Sequence, residues 1–151
     1  MKNIEYKKSR VKQPKIRFKN LKQALKYLDY WKRVLFLDDW IIKLSLMDTT
    51  NMKNLGENDF VLELKCSHIK LNNSSENDGI VKDCVEKVLV HELLHLKYNW
   101  IHYGLSDSIE KFFCENIEHQ TLEEMAKSLI MVKYGLTFDW FKNFYPHQII
   151  E

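Results

Sequence analysis

The stretch VEKVLVHELLHL, residues 85–96, decides the fold of this chain. Drawn as an α-helix, it carries apolar Val and Leu side chains on all sides, so we expect it to lie at the centre of the fold. In its larger part, residues 88–96, three polar side chains, His91, Glu92 and His95, stand among the apolar ones. Burial of such groups is costly unless a metal or a hydrogen-bonding network satisfies them. The stretch therefore predicts a central helix whose polar side chains require partners.

The spacing of the two histidines indicates a metal site. His91 and His95 are four residues apart, which directs both imidazoles to the same face of a helix. Two such imidazoles can hold one Zn²⁺ at about 2.0–2.1 Å, and a catalytic zinc also needs a third protein ligand and an open position. Zinc lowers the pKa of a bound water towards about 7, which makes hydroxide available at neutral pH. We therefore expect Zn²⁺ as the cofactor.

The next helix along the chain supplies candidates for the third ligand. Four apolar residues form the inward stripe of its C-terminal half: Leu122, Met125, Ala126 and Leu129. Counting back from this stripe by threes and fours reaches Glu118 or His119, and then Glu115, where the helical pattern expects apolar side chains. Zinc accepts either a carboxylate oxygen or an imidazole nitrogen. The pattern leaves all three residues open as the third ligand.

The chain before the central helix predicts one helix and three strands. Asn20 followed by Gln23 is typical of a helix N-cap, and apolar residues at helical spacing continue to about Leu37. Alternation of apolar and polar residues predicts the strands, the second of which follows a turn-rich segment at 48–59. The predicted strands cover residues 40–47, 60–65 and 66–72.

The chain after these strands predicts two long helices and a folded tail. The central helix is expected to begin near Ile80. Asp107 and Glu110 form a capping box for the next helix, which runs to about Lys133 and stops at Gly135. The aromatic residues of the tail should pack back on the body as a short helix or lid. Together these elements predict an α+β fold: an N-terminal helix, a small, mainly antiparallel three-stranded sheet, the central helix and a C-terminal ligand-bearing helix.

The composition limits the class of protein. With 151 residues the chain has the length of one ordinary domain, which we expect to span residues 20–151. No apolar run approaches the roughly 18 residues that cross a bilayer, so we expect no membrane association. The N-terminus lacks the apolar core of a signal peptide, and Cys66, Cys84 and Cys114 are too few for a disulfide framework. We therefore expect a cytoplasmic protein.

The charge is distributed unevenly along the chain. Residues 1–33 carry twelve Lys or Arg and two acidic residues, a net of +10, whereas residues 34–151 carry eleven Lys or Arg and nineteen acidic residues, a net of −8. Residues 1–19 are polar and basic, and we expect them to form an extended arm. A basic arm can bind nucleic acid, an acidic partner protein or the chain's own acidic surface, or remain solvated.

The central stretch and its neighbours resemble a known family. VEKVLVHELLHL, preceded by short strands and followed by ENIEHQTLEEMAKSL, resembles the small metallopeptidase-like zincins of phages and mobile elements. More remotely, it is similar to minimal gluzincins and SprT-like proteases. The resemblance covers residues 21–133, and HELLHL is its specific part. It implies a zincin-like fold and hydrolysis of a peptide bond in a peptide or protein substrate, with Glu92 as the general base.

The resemblance also ranks the candidates for the third ligand. In such proteins an acidic residue opens an E-(E/H)-x-x-(V/L)-x-x-(L/M)-A segment, which residues 118–126 match. The match implies Glu118 as the third zinc ligand, with His119 and Glu115 as alternatives. Glu115 has the spacing found in thermolysin-type gluzincins, but His119 stands where those proteins have an aspartate. The resemblance further implies that the strand at 66–72 lies at the cleft, where its exposed edge could receive an extended peptide.

Two other functions fit the same residues. The first is a binding module on a zincin scaffold, whose metal is structural or absent and whose basic arm docks nucleic acid or a phage protein. The second is a hydrolase whose substrate is not a peptide. Replacement of Glu92 by Gln separates the enzyme from a metal-containing binding module, because an enzyme should keep its metal and lose turnover.

Overall fold

A computed structural model describes residues 12–48, 52, 54–74, 83–99 and 109–142. It has an α+β fold in which a small three-stranded sheet packs with several helices. The elements are α1 (Leu21–Val34), β1 (Ile41–Met47), β2 (Gly56–Val61), β3 (Cys66–Asn72), α2 (Val85–Tyr98), α3 (Ile109–Tyr134) and α4 (Asp139–Lys142). Within the described part of the chain, no helix is both long enough and apolar enough to cross a bilayer.

The first helix begins where the sequence predicts. The Asn20 side chain accepts a hydrogen bond from the Gln23 backbone amide at 2.9 Å, and the Gln23 side chain accepts one from the Lys19 amide at 2.9 Å. The first bond satisfies one of the backbone donors that a helix N-terminus leaves without partners, and the second ties the residue before the cap to the first turn. The helix ends at Val34, three residues before the predicted end, and Phe36 adopts a left-handed conformation with φ 56° that cannot continue it.

The sheet is mixed, not mainly antiparallel as expected from the sequence. Its strand order is β1-β3-β2. β1 and β3 run parallel, with Ile41 opposite Cys66, whereas β2 and β3 run antiparallel, with Val61 opposite Cys66. The chain reverses direction between β1 and β2 and again in the β2–β3 hairpin, so β3 runs in the same direction as β1. Because β3 lies between β1 and β2, its pairing with β1 is parallel.

The hairpin turn falls inside a predicted strand. The alternation of residues 60–65 predicts a strand there, but residues 62–65 form a tight turn in which the Lys65 amide donates to the Leu62 carbonyl at 3.0 Å. Lys65 itself is left-handed, with φ 47°. β2 therefore occupies Gly56–Val61, most of which the sequence assigns to a turn-rich segment.

The strand at 66–72 is the central strand of the sheet, which corrects the expectation that it presents an exposed edge. β3 is hydrogen-bonded on both sides, by β1 and by β2. Its Ile69 and Leu71 side chains are fully buried in the core. Within the residues that the structure describes, β2 lies at the edge of the sheet next to α2, the helix that carries the HExxH sequence His91–His95, because the hairpin folds it outside β3.

The HExxH helix is central, as its apolar pattern predicts. Four of its apolar side chains are completely buried, and polar residues on the same helix are buried with them. The four are Leu89, Val90, Leu93 and Leu94, and Cys84 at the N-cap is completely buried as well. Asp83 and Cys84 are not helical, so α2 starts at Val85, later than the predicted start near Ile80. Ile80 itself lies outside the described residues.

The described part of the basic arm, residues 12–19, packs on the body of the protein. The carbonyls of Lys15 and Ile16 accept hydrogen bonds of 3.0 and 3.1 Å from the first two backbone amides of α2. Phe18 is buried, and its backbone exchanges two hydrogen bonds with the Asn73 side-chain amide. Because the first amides of a helix lack intrahelical acceptors, the arm acts here as a backbone cap.

The helix α3 and the start of the tail follow the prediction where the structure describes them. α3 ends at Tyr134, followed by Gly135, whose φ of 63° is left-handed, and the Leu136 amide donates to the Met131 carbonyl at 3.0 Å. This 6→1 bond is the Schellman arrangement that glycine favours. Phe141 of α4 is buried in the core, so this part of the tail does pack back on the body. The proposed capping residue Asp107 lies outside the described residues.

A buried carboxylate joins four segments of the chain. Glu86, in the first turn of α2, is completely buried. It accepts hydrogen bonds from the Trp31 indole at 3.0 Å, the Lys15 amide at 3.0 Å, the Lys133 ammonium at 2.6 Å and the Tyr134 hydroxyl at 2.7 Å. These donors belong to the arm, α1 and α3. Burial of a carboxylate is costly without partners, so Glu86 holds these segments in one arrangement.

We expect the replacement of Glu86 by Ala to lower the free energy of unfolding by about 3 kcal/mol, because it leaves the Lys133 ammonium without its carboxylate in a largely buried position. Urea denaturation of the metal-free protein measures this change. The matched control is Glu124→Ala at an exposed position of α3, for which we expect a change within about 0.5 kcal/mol. Equal stabilities of the two variants would contradict the role of Glu86.

Candidate metal centre

The two histidines of the HExxH stretch meet on one face of α2. His91 is buried and His95 is half-buried. Their Nε2 atoms lie 3.1 Å apart, and the ring centroids are separated by 4.8 Å. The i, i+4 spacing therefore produces the predicted pairing of imidazoles.

A third imidazole comes from α3. One ring nitrogen from each of His91, His95 and His119 lies within 4.8 Å of the other two. Nitrogens at about 2.0–2.1 Å from a tetrahedral ion are roughly 3.4 Å apart, so small side-chain movements suffice for all three to reach one ion. His119 is on the exposed side of the group, and burial together with His91 lowers its pKa, which favours the neutral imidazole that a metal requires. The donor set thus fits a divalent metal ion.

The other two candidates for the third ligand lie elsewhere. Glu118 is buried, and its carboxylate is 3.8 Å from Nδ1 of His95, whereas it is Nε2 of His95 that faces His91. This geometry favours the alternative His119 over Glu118, our first choice, as the third ligand. Glu115 is exposed and does not belong to the three-histidine group.

A carboxylate behind the histidines was missed by sequence reasoning. Glu123 Oε2 lies 3.2 Å from His91 Nδ1, the ring nitrogen that is directed away from His95. Burial alone would raise the pKa of Glu123, but His91 and Lys87 lower it well below its usual range, so the group is a carboxylate. A carboxylate at the distal nitrogen of a histidine fixes the tautomer that presents the other nitrogen to a metal. The sequence did contain one indication of this role, because Glu123 lies four residues after His119 and therefore on the same face of the helix.

Glu92 occupies a dry position beside the histidines. It is 8% exposed, and burial raises the pKa of its carboxyl from 4.5 to about 7. His91 opposes this rise and Glu57 adds to it. Without a cation next to it, Glu92 is therefore poised between the protonated and the ionised form at neutral pH.

The edge strand lies directly against Glu92. A Cβ atom placed on Gly56 would be 2.6 Å from Oε1 of Glu92, so only glycine leaves room for the carboxyl there. Two residues further on, the Asn58 amide donates to the Glu92 carbonyl at 2.8 Å and accepts a bond from the Ser67 hydroxyl at 2.6 Å. These contacts fix β2 against α2 beside the histidines.

The site opens into a cleft of about 740 Å³ between α2, α3 and β2. The three histidines and Glu92 line one side of it, and β2 lines the other. A metal ion held by the histidines would face the open cleft with Glu92 beside it. His68 lies on β3, the central strand, and its Nε2 is 2.8 Å from the Ser45 hydroxyl.

If the three histidines hold the metal, substitutions of His119 and Glu118 should differ in their effect on zinc affinity. We expect His119→Ala to lower zinc affinity at least about 100-fold, because it removes a ligand, and Glu118→Gln to lower it about tenfold at most. Competition titration with a chromophoric chelator measures both, and His68→Ala serves as the control outside the site. A larger loss in Glu118→Gln than in His119→Ala would show that Glu118 is the ligand.

The buried Glu92 predicts a pH dependence of stability in the metal-free protein. Its pKa is raised in the folded state, so its stabilising contribution is complete below about pH 4.5 and is lost as the pH rises through about 7. The loss amounts to about 3 kcal/mol. We expect the stability difference between wild type and Glu92→Gln to change by this amount over that range in urea denaturation. A difference that is independent of pH would show that Glu92 is solvated.

No protein-family model, no curated protein and no solved structure matches this chain.

Proposed function

We propose that this protein is a zinc-dependent metallopeptidase with a zincin-like fold. The observation that carries the proposal is the convergence of three imidazoles from two helices beside a buried glutamate, at a cleft bordered by the edge of a sheet. The HExxH stretch alone accounts for two of the imidazoles and the glutamate. The contribution of His119 from a distant part of the chain supports a site that was built for a metal.

The donor set supports zinc as the ion. Three neutral imidazoles suit Zn²⁺, and a site with three protein ligands leaves the fourth position open for catalysis. When bound, the ion would polarise a carbonyl oxygen and acidify a water molecule. His91, His95 and His119 would hold it, and Glu123 would keep His91 in the tautomer with Nε2 free.

Glu92 is proposed as the proton carrier. Its Oε1 atom lies in the cleft wall against Gly56, close to the histidines. A cation nearby favours the ionised form, so metal binding would lower the pKa of Glu92 from about 7 and prepare it to accept a proton. The same carboxyl would then deliver that proton to the leaving amine nitrogen, which is the general acid step.

The edge strand supports a peptide as substrate. Among the described residues, β2 pairs with β3 on one side only, and it lines the cleft along its length. An extended peptide can add to such an edge through backbone hydrogen bonds, which would lay its scissile bond across the histidine face. The proposed docking edge is therefore β2, in place of the strand at 66–72.

A binding module on the same scaffold is the second candidate, and the charge of the N-terminal region favours it. Residues 12–33 carry eight Lys or Arg and one acidic residue, and most of these cations are exposed on the arm and α1. Nucleic acid or an acidic protein is the partner that such a surface attracts. In either function a cytoplasmic location remains our proposal, and Cys66 and Cys84 are free thiols.

The Glu92→Gln variant tests the proposed function. We expect it to retain zinc at wild-type stoichiometry and to lose about 10²–10⁴-fold in turnover, because it cannot accept a proton. Cleavage of a peptide library, read by mass spectrometry, measures turnover, and Glu124→Gln at an exposed position is the control. Unchanged turnover in Glu92→Gln would exclude Glu92 as the base, and zinc-loaded wild type that cleaves no peptide would favour the binding module.

A further inference from the structure

A buried lysine stands one turn before the first histidine ligand. Lys87 of α2 is 2% exposed. Its ammonium contacts the carboxylate of Asp83, which lies just before the start of α2, and the carboxylate of Glu123 on α3. The transfer of an ammonium group out of water costs several kcal/mol unless the geometry of its partners is good. An apolar residue would fill this position at no such cost, so the charge calls for an explanation.

The two oxygens of Glu123 have separate partners. Oε1 contacts the Lys87 ammonium, and Oε2 lies 3.2 Å from Nδ1 of His91. A second cation, Lys127, lies 3.6 Å from Oε1. Lys127 and Glu123 both belong to α3, one turn apart, so Lys127 attracts the Glu123 carboxylate along the surface of α3. Lys87 attracts the same oxygen towards α2 and the histidine.

We propose that Lys87 is a positioning residue of the metal centre, which holds Glu123 in the orientation that fixes the His91 imidazole. With Oε1 held by Lys87, Oε2 stays 3.2 Å from His91 Nδ1, where its negative charge favours a proton on Nδ1 and leaves the lone pair of Nε2 to face a metal. The proposal rests on the proposed metal site and deepens it. Lys87 also contacts Asp83, whose side chain is 2% exposed, so the same ammonium lies against two carboxylates next to the site.

The structure indicates what happens when the ammonium is removed. Glu123 is 26% exposed, and Lys127 offers it a second partner nearer to solvent. Without Lys87, the carboxylate would turn towards Lys127 and away from the nearby carboxylate of Asp83. His91 would then lose the contact that fixes its tautomer and ring orientation. The loss of such outer contacts of a metal ligand typically lowers metal affinity about 10–100-fold.

Metal binding by Lys87→Met tests the proposal, since methionine keeps the length of the side chain and removes its charge. We expect zinc affinity to fall about 10–100-fold and the visible bands of the Co²⁺-loaded protein to shift, because His91 is no longer held. Lys87→Arg keeps the charge and should recover most of the affinity. The matched control, Lys127→Met, removes the other cation next to Glu123 and should change the affinity less than about threefold.

A double variant separates positioning from general stability. If Lys87 acts through Glu123, Lys87→Met should cost no further affinity in a Glu123→Gln background, whereas independent effects would add. Should Lys87→Met fail to fold, Lys87→Gln takes its place, because it keeps hydrogen-bond donors for both carboxylates without the charge. Unchanged affinity and Co²⁺ bands in the folded variant would overturn the role of Lys87. Failure of the wild type to bind zinc or Co²⁺ would overturn the metal site itself.

Discussion

The burial of α2 on nearly all sides is the constraint on which the rest of the structure depends. Such a helix leaves its polar side chains no water, so each must find a partner in another element. Glu86 binds the arm, α1 and the end of α3, Lys87 and His91 share Glu123, and Glu92 lies against β2. The partners of these side chains define how the surrounding elements are arranged.

The same constraint links stability to the site. Glu86 orders the segments around the first turn of α2, and the histidines follow on the next two turns. Because α3 is held by Glu86 at its C-terminal end and by Lys87 in its middle, the helix has a defined rotation about its axis. That rotation brings His119 to the cleft. Side chains placed on helices in this way would need little movement to bind an ion.

Sequence patterns predicted the structure correctly where the interacting residues lie within one or two turns of the same helix. The Asn20 cap, the Gly135 stop and the pairing of His91 with His95 all depend on residues within four or five positions of each other. The patterns failed at β2, for a physical reason. Gly56 and Asn58 face the polar groups of Glu92, not the apolar core, so the strand has no alternation of apolar side chains to reveal it.

The sequence by itself determined that a buried helix carries two imidazoles on one face with a glutamate beside them, because helical geometry sets those positions over a single turn. Only the tertiary structure separates Glu118 from His119, and its geometry favours His119. Neighbouring residues on a helix differ by about 100° in direction, so the choice depends on the rotation of α3 against α2. That rotation is set by contacts between residues such as Lys87 and Glu123, which are 36 positions apart in the chain.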